Sequence, residues 1–226
     1  MREKYCLPVI KHSTQAVFDE IDHNIDQYHF FEVWLDYIEG VDDEFVTKLT
    51  HKYSHKIIFL FRRERLEPIE MPSDSRFQLI RSLDQSHALL DLDIRSQLAE
   101  LEFIKLNDLQ IRVIGSYHNY KKTPDLNELQ LIVDQIESHK PEIVKISTFC
   151  NDEEDAVRLL ELQLLLKEKH QKHIVLGMGR HGIVTRIFGS LWGNELIFAP
   201  LVAQHHTAPG QLSRAQLDTI FKNLHI

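Results

Sequence analysis

The amino-acid sequence predicts the α/β fold class and, within it, a single compact (β/α)8 barrel that occupies residues 1–226. Short apolar runs alternate with longer amphipathic stretches along the whole chain, which is the element order of a parallel α/β sheet. The apolar runs number eight, the strand count of such a barrel, and no repeat or linker-like stretch divides the chain. An open doubly wound sheet is the competing architecture, although its usual GxGxxG dinucleotide-binding turn is missing after the first run.

The eight predicted strands are short and continuous, and several are rich in Val, Ile and Phe, as strands buried on both faces are. They cover residues 5–10, 30–35, 56–61, 88–92, 112–115, 142–147, 173–176 and 195–199. Two of the helices between them have recognisable ends. Asp125 precedes an apolar stripe with Glu128 three positions later, as in a capping box. Residues 151–170 begin with a cluster of acidic side chains and end with basic ones, which complements the helix dipole.

The composition excludes several classes of protein. The 34 acidic and 26 basic side chains leave a net charge of −8, which argues against a general nucleic-acid binder. The two cysteines, Cys6 and Cys150, are too few for a disulfide scaffold and suit a reducing compartment. No apolar run approaches the ~20 residues of a membrane span, and the first residues lack the apolar core of a signal peptide. We therefore expect a cytoplasmic protein that binds neither nucleic acid nor a membrane.

Polar side chains at the carboxyl ends of the predicted strands are the candidates for chemistry, because a barrel builds its active site there. Glycine is scarce, with 8 residues in 226, and five of them lie between positions 177 and 193, around the turn after the seventh strand. The candidate residues are Glu32, Asp36, Arg62, Ser116, Tyr117, His118, Arg186, Thr207 and Gln211, together with Lys145 inside the sixth strand.

Lys145 interrupts the otherwise apolar strand EIVKIS, where burying an ammonium group is costly. A desolvated lysine is nucleophilic enough to form a Schiff base with a carbonyl substrate. The alternative is a lysine whose head reaches water from the strand end. His118, in the segment SYHNY, is a candidate general base or acid. The alternative is a structural or surface role, since the chain has fourteen histidines.

Two arginines, Arg62 and Arg186, are candidates for binding an anion, since a guanidinium can donate two parallel hydrogen bonds to one carboxylate. The alternative is that they form ion pairs at the surface. We expect no metal site, because the histidine pairs have no third ligand of clear placement. Those pairs are His51/His55, His170/His173 and His205/His206.

Five motifs occur in order along the chain: KIIFLFR, VIGSYHNYKKTP, EIVKIS, GMGRHGIVTRIFGS and TAPGQLS. Together they resemble type I 3-dehydroquinate dehydratase, a hydro-lyase of the shikimate pathway and of aromatic amino acid biosynthesis. The resemblance extends from about Cys6 to the C-terminal helix. It implies a TIM barrel, usually a homodimer, that dehydrates 3-dehydroquinate to 3-dehydroshikimate with neither a metal nor an organic cofactor.

The resemblance also implies a role for each candidate residue. By the match to VKI, Lys145 forms the imine with the substrate ketone, and by the match to SYH, His118 moves the proton. By the match to GxxxR, Arg186 holds the substrate carboxylate. The remaining matches are Thr207 and Gln211 on the loop that closes the site, Glu32 and Arg62 on the ring hydroxyls, and Met178 and Phe198 in the apolar wall.

Two departures from the family pattern bear on the substrate. The family's Glu-x-Arg-x-Asp in the second strand is replaced by Glu32-Val33-Trp34-Leu35-Asp36, so that Trp34 stands where a guanidinium is expected. After the third strand, Leu66 occupies the place of the family's glutamate that assists His118. Two carboxylates, Glu64 and Glu67, lie nearby in the sequence, and the sequence leaves open whether either of them reaches His118. Two other functions therefore stay open: a Schiff-base barrel enzyme for another small carbonyl compound, and a non-catalytic descendant that acts as a binding protein.

Overall fold

The computed structural model describes residues 4–61, 71–202 and 207–224, and in this part of the chain eight strands alternate with eight helices. The strands are β1 (Tyr5–Val9), β2 (Phe30–Trp34), β3 (Ile57–Leu60), β4 (Leu89–Asp93), β5 (Arg112–Asn119), β6 (Ile143–Phe149), β7 (His173–Met178) and β8 (Ile197–Phe198). The helices are α1 (Thr14–Asn24), α2 (Asp43–Tyr53), α3 (Ser73–Arg81), α4 (Leu98–Leu106), α5 (Leu126–Glu137), α6 (Glu153–Glu168), α7 (Ile183–Trp192) and α8 (Arg214–Asn223).

The order of the strands separates a barrel from a doubly wound sheet. The hydrogen-bonded order is β7-β6-β5-β4-β3-β2-β1-β8. Each strand from β1 to β7 neighbours the next one in the chain, and β8 pairs in parallel with β1, with Tyr5 opposite Ile197 and Cys6 opposite Phe198. A doubly wound sheet instead reverses its order part-way along. The predicted fold class, an α/β fold of the (β/α)8 TIM-barrel type, is confirmed.

Residues 8–115 form one compact unit of the chain. Within it β2 and β3 pair in parallel, with Glu32 opposite Ile58 and Trp34 opposite Leu60. All four residues of β3 are buried and apolar, as is expected of a strand covered on both faces. The carboxylate of Glu32 therefore lies beside an apolar strand, where a buried charge needs hydrogen-bond partners.

Residues 1–7 and 116–226 form the other compact unit. Within it β6 pairs with β7, and Lys145 lies opposite Ile174. The predicted helix starts are confirmed: the Asp125 side chain accepts a hydrogen bond from the backbone N–H of Glu128 (2.9 Å) at the start of α5. At the start of α6 the Asp152 side chain accepts one from the N–H of Asp155 (2.9 Å).

Two strands extend further than the sequence pattern predicts. The pattern ends the fifth strand at residue 115 and the sixth at residue 147, but β5 continues to Asn119 and β6 to Phe149. The polar residues that follow the apolar runs, Ser116 and Thr148 among them, are fully buried by the surrounding chain. Tertiary packing thus keeps them in the strand although their local pattern predicts a strand end. As a result His118 lies inside β5 and not beyond it, and Gly177 belongs to β7 and not to the turn that follows.

His173, the first residue of β7, makes the stability of the fold depend on pH. Its side chain is 3% exposed, its Nδ1 lies 2.7 Å from the carbonyl oxygen of Gln171, and its buried Nε2 has no hydrogen-bond partner among the described residues. Burial lowers the pKa of His173 below its ordinary value of 6.5, although the Gln171 carbonyl and the charge of Glu195 oppose the shift. Near pH 6 the imidazole of His173 therefore binds a proton more readily in the unfolded chain than in the folded protein.

We expect the free energy of unfolding to decrease as the pH falls below 6.5, by at most about 1.4 kcal/mol for each unit of pKa difference. Urea denaturation at pH 7.5 and pH 5.0 measures this loss. In the His173→Leu variant the loss between the two pH values should be smaller than in the wild type. His170→Asn, a change at an exposed histidine, is the matched control and should keep the wild-type loss. An equal loss in all three proteins would contradict this account.

None of the helices in residues 4–61, 71–202 and 207–224 has the length and apolar character needed to cross a membrane.

Candidate active site

Lys145 is the third residue of β6, and the structure buries it to 5% exposure. Its Nζ lies 4.4 Å from the centroid of the Phe198 ring on β8. A cation over an aromatic face is attracted by the ring quadrupole, so that Phe198 holds the amine in place with little water around it. The structure thus brings together two of the predicted site residues, the candidate nucleophile and one member of the apolar wall.

His118 is the last but one residue of β5, and it is half-buried between the interior and solvent. Its ring stacks on that of Tyr120, with the centroids 6.2 Å apart and the planes at 20°. A strand position fixes the backbone of His118 more firmly than the predicted loop position would. Partial exposure suits a group that exchanges protons with water during a reaction cycle.

Arg186 lies in the first turns of α7 and is 4% exposed. Its Nε and Nη2 are buried and have no hydrogen-bond partner among the described residues. Burial lowers the pKa of Arg186 to about 10, from an ordinary value of 12.5. A buried guanidinium that keeps unused donors is rare in a folded protein, and a carboxylate would satisfy two of those donors at once.

Cys150, the residue after β6, is not among the sequence candidates but lies within electrostatic reach of Arg186. Burial raises the pKa of the Cys150 thiol to about 11, and a hydrogen bond with Thr123 only partly offsets this. The thiol is therefore neutral near pH 7 and provides no counter-charge for the guanidinium. The signal that could have pointed to it is its place directly after the lysine strand, where barrel sites are built.

The glycines around position 180 set the position of Arg186. A Cβ on Gly177 would lie 2.7 Å from the Cα of Gly182, and a Cβ on Gly182 would overlap the backbone of Gly177. The end of β7 and the start of α7 therefore approach each other more closely than any other residue type allows. This contact explains why a chain poor in glycine has several of them here.

Thr207 and Gln211 lie together on the segment that follows β8. The Gln211 Oε1 accepts hydrogen bonds from the Thr207 backbone N–H (2.8 Å) and from its Oγ1 (3.2 Å). The Gln211 Nε2 donates to the carbonyl oxygen of Phe198 (3.4 Å). Four predicted residues, Lys145, Phe198, Gln211 and Thr207, are thus joined in one series of contacts.

Gly210 attaches this segment to the turn after β7. The backbone N–H of Gly179 donates to the carbonyl oxygen of Pro209 (3.0 Å), and a Cβ on Gly210 would overlap the carbonyl oxygen of Gly179. Gly210 also has a positive φ of 76°. The segment that carries Gln211 and the turn that leads to Arg186 therefore pack backbone against backbone.

We expect Gly210→Ala to separate these two backbones and to raise KM about tenfold, with a smaller effect on kcat, because Gln211 moves away from its position while Lys145 stays in place. Steady-state kinetics measure the change. Gly40→Ala is the matched control, since Gly40 also has a positive φ (64°) but nothing lies within 4 Å of a Cβ built on it. If both variants lose activity equally, backbone strain and not the contact is the cause.

Glu32 and Trp34 lie in the unit formed by residues 8–115 and are described within it. Both are buried, with 4% and 8% exposure. The Trp34 Nε1–H donates to the Glu32 Oε2 (3.2 Å), and the Trp34 ring meets that of Tyr37 edge-on, with the centroids 5.7 Å apart. The residue that departs from the expected arginine thus contacts the carboxylate predicted to bind hydroxyl groups.

Of the remaining residues that the sequence analysis named, the structure describes Met178 but not those that follow the third strand. Met178 is the last residue of β7 and is buried, and its carbonyl oxygen accepts a hydrogen bond from the N–H of Cys150 (3.0 Å). Arg62, Leu66, Glu64 and Glu67 lie outside the described residues. Within the described ranges no group of three or more His, Cys, Asp or Glu side chains is placed to hold a metal ion.

Comparison with known families identifies the group to which this chain belongs. The family model described as "Type I 3-dehydroquinase" matches residues 5–226, nearly the whole chain. The chain belongs to this family. Type I 3-dehydroquinases are hydro-lyases, and the predicted family and enzyme class are both confirmed.

Curated relatives of the family are similar over nearly their full length. The chain is 25% identical to 3-dehydroquinate dehydratase of Coxiella burnetii, over 98% of this chain and 94% of that protein. It is 27% identical to 3-dehydroquinate dehydratase of Methanococcus maripaludis, over 96% of this chain and 98% of that protein.

Solved structures of type I 3-dehydroquinases have the same fold. The 3-dehydroquinate dehydratase of Geobacillus kaustophilus superposes with a TM-score of 0.82 at 22% identity, over 100% of this chain and 92% of that one. The type I enzyme of Clostridium difficile, solved with covalently modified comenic acid, superposes with a TM-score of 0.80 at 22% identity, over 99% and 92% of the two chains.

Proposed function

We propose that this type I 3-dehydroquinase dehydrates 3-dehydroquinate to 3-dehydroshikimate through a Schiff base on Lys145, with His118 as the general acid and base. The observation that carries the proposal is the amine of Lys145, buried in β6 and held 4.4 Å from the Phe198 ring. A buried lysine amine in this position can act as the nucleophile toward the ketone of a bound substrate. The covalently modified comenic acid of the C. difficile structure is consistent with covalent chemistry in this fold.

The reaction follows from these two groups. The neutral amine of Lys145 adds to the C3 ketone, and loss of water together with uptake of one proton from solvent leaves a cationic imine that withdraws electrons from the ring. His118 removes a proton from C2, which is adjacent to the imine, and an enamine forms. The enamine expels the C1 hydroxyl, which takes the proton from His118 and leaves as water. Hydrolysis of the conjugated cationic imine then releases 3-dehydroshikimate, returns that proton to solvent and restores the neutral amine of Lys145.

We assign substrate binding to the residues predicted from the family pattern. Arg186 binds the carboxylate with the donors that are unused in the described part of the protein. Thr207 and Gln211 exchange their mutual hydrogen bonds for bonds to the substrate when the segment closes. Glu32 and Arg62 bind ring hydroxyls, and Met178 and Phe198 form the apolar wall. The cationic imine serves as the electron sink, so that we expect no metal or organic cofactor.

We propose further that residues 1–226 act as one catalytic domain, that the protein is a homodimer and that it works in the cytoplasm as a shikimate-pathway enzyme. Both cysteines, Cys6 and Cys150, are buried and form no disulfide, which suits a reducing compartment. We expect no nucleic-acid or membrane partner, in line with the net charge of −8 and the absence of a long apolar run in the sequence.

One observation favours a second candidate function. Because Trp34, and not a guanidinium, lies beside Glu32, the second candidate is a Schiff-base barrel enzyme for another small carbonyl compound. A non-catalytic binding protein is the remaining alternative, and it predicts neither an imine nor a product.

The test is to incubate the protein with 3-dehydroquinate, reduce with borohydride and measure the mass of the intact chain, while a parallel assay follows the absorbance of the conjugated product. We expect one substrate-derived adduct per chain together with product formation. An adduct without product would favour the second candidate. The absence of both would contradict the proposed function.

A further inference from the structure

The side chain of Trp34 determines what β2 offers to a ligand at its carboxyl end. Trp34 is the last residue of β2, and Glu32 lies two residues earlier, on the same face of the strand. An inference about the substrate drawn from this pair rests on the proposed function, because that function assigns Glu32 to the ring hydroxyls.

The hydrogen-bonding capacity of Trp34 is fully used within the protein. An indole has one N–H donor and no acceptor. That donor points at the Glu32 Oε2, 3.2 Å away, in a buried environment. Donation to a ligand would leave the Oε2 without this bond, which is costly for a buried carboxylate. Trp34 therefore presents ring carbon to any molecule that lies beside it.

The indole is also held in a fixed orientation. Its ring meets Tyr37 edge-on at 5.7 Å, with the planes at 69°, and the backbone of Trp34 is paired with Leu60 in the sheet. Edge-to-face aromatic pairs are directional, so that the indole resists turning its N–H toward a ligand. The arginine expected here would instead offer five N–H donors and a positive charge to the same region.

The replacement of an arginine by Trp34 changes how the site distinguishes ligands with a ring hydroxyl from ligands without it. A site built from hydrogen-bond donors rejects an analogue that lacks the matching hydroxyl by a large factor, because the donors are left unpaired. A carbon surface discriminates weakly between a ring with a hydroxyl and a ring without it. We infer that Trp34 is a specificity-determining residue: the hydroxyl of 3-dehydroquinate, at C4 or C5, that an arginine at this position would bind contributes little to selectivity, and the enzyme accepts the cyclic 3-oxo carboxylate that lacks it.

A competition experiment tests this inference without depending on turnover. The protein is mixed with equal concentrations of 3-dehydroquinate and its 4-deoxy or 5-deoxy analogue, reduced with borohydride, and weighed as intact chain. The two adducts differ in mass by one oxygen atom, so that their ratio measures the discrimination directly. For the wild type we expect a ratio within about tenfold of unity for at least one analogue.

The variant Trp34→Arg restores the charged donor at this position. We expect it to shift the adduct ratio toward 3-dehydroquinate by about 10- to 100-fold, the range that one hydrogen bond to a charged group confers. Trp34→Phe keeps the carbon surface and removes the N–H. The adduct ratio should then stay within about threefold of the wild type, while KM rises because Glu32 loses the hydrogen bond from the indole. Circular dichroism checks that each variant is folded.

Tryptophan fluorescence gives a second measurement, which does not depend on whether Trp34→Arg folds. The chain has two tryptophans, Trp34 and Trp192. In Trp192→Phe the emission comes from Trp34, and we expect saturable quenching by 3-dehydroshikimate, because the proposed function binds its ring hydroxyls at Glu32, which is hydrogen-bonded to the indole. In Trp34→Phe the emission comes from Trp192, in α7 beside Phe188, and it should not change.

The outcomes separate the inference from the proposed function. A wild-type preference for 3-dehydroquinate above about 1,000-fold over both analogues would overturn the inference and leave the proposed function intact. So would an unshifted ratio in folded Trp34→Arg, or the absence of quenching in Trp192→Phe under conditions that give the adduct. The absence of an adduct from all three compounds would overturn the proposed function and the inference with it.

Discussion

Lys145→Ala is expected to abolish the borohydride-trapped adduct and to lower kcat by a factor on the order of 10^4 or more. The physical reason is that the imine is the electron sink of the proposed reaction. Without it, His118 would have to remove a proton from carbon next to an ordinary ketone. Intact mass measures the adduct, and the absorbance of the conjugated product measures kcat.

Lys145→Arg is the sharper variant of the same position. Arginine keeps a cation near Phe198 and fills a similar volume, but its guanidinium is not a nucleophile near pH 7. We therefore expect a folded protein with no adduct. A change at an exposed lysine, Lys172→Ala, breaks only the surface ion pair with Glu142 (3.0 Å) and should leave the adduct and kcat unchanged. An adduct that survives in Lys145→Ala would show that another amine forms it.

Arg186→Met is expected to lower kcat/KM by about 10^2- to 10^3-fold and, at the same time, to make the free protein more stable. The loss of activity follows from removing the cation that binds the carboxylate. The gain in stability follows because Arg186 is a buried charge whose Nε and Nη2 have no partner among the described residues. The lowered pKa of about 10 reflects the same burial. We expect the free energy of unfolding to rise by about 1–3 kcal/mol.

Two comparisons distinguish a binding role from a structural role. Arg158, partly exposed and paired with Asp155 at 2.7 Å, is the matched control: Arg158→Met should lower the free energy of unfolding slightly or leave it unchanged, with KM unaffected. Added 3-dehydroshikimate should raise the Tm of the wild type but not that of Arg186→Met, because a ligand stabilises only the protein that binds it. A less stable Arg186→Met with normal KM would assign the guanidinium to the fold.

The candidate catalytic residues can be selected from the sequence because each one breaks a local pattern. Lys145 is a charge within an apolar strand, and the structure confirms that it is buried. Arg186 follows a glycine-rich turn, and His118 follows an apolar run. The prediction for His118 is less precise, because a strand end cannot be located from polarity when the polar residues that continue the strand are themselves buried.

The partners of these residues cannot be read from the pattern. The contact of Lys145 with Phe198 joins residues 53 positions apart, and Gly210 packs against a glycine 31 positions earlier. Cys150 shows the same limit, since its neutrality beside Arg186 depends on burial by distant parts of the chain. Local sequence carries no information about which distant residues share a contact.

The sequence by itself determined the order of eight strands and their helices, the family and the candidates for the reactive groups. These depend on features that act within a few residues: apolar period, helix caps and motif spacing. The tertiary structure decided which polar groups are deprived of water and which are paired. Among the described residues it left two donors of Arg186 unused and gave the single N–H of Trp34 to Glu32. Burial and hydrogen-bond partnership are properties of the packed chain, because they depend on residues that are distant in sequence and adjacent in space.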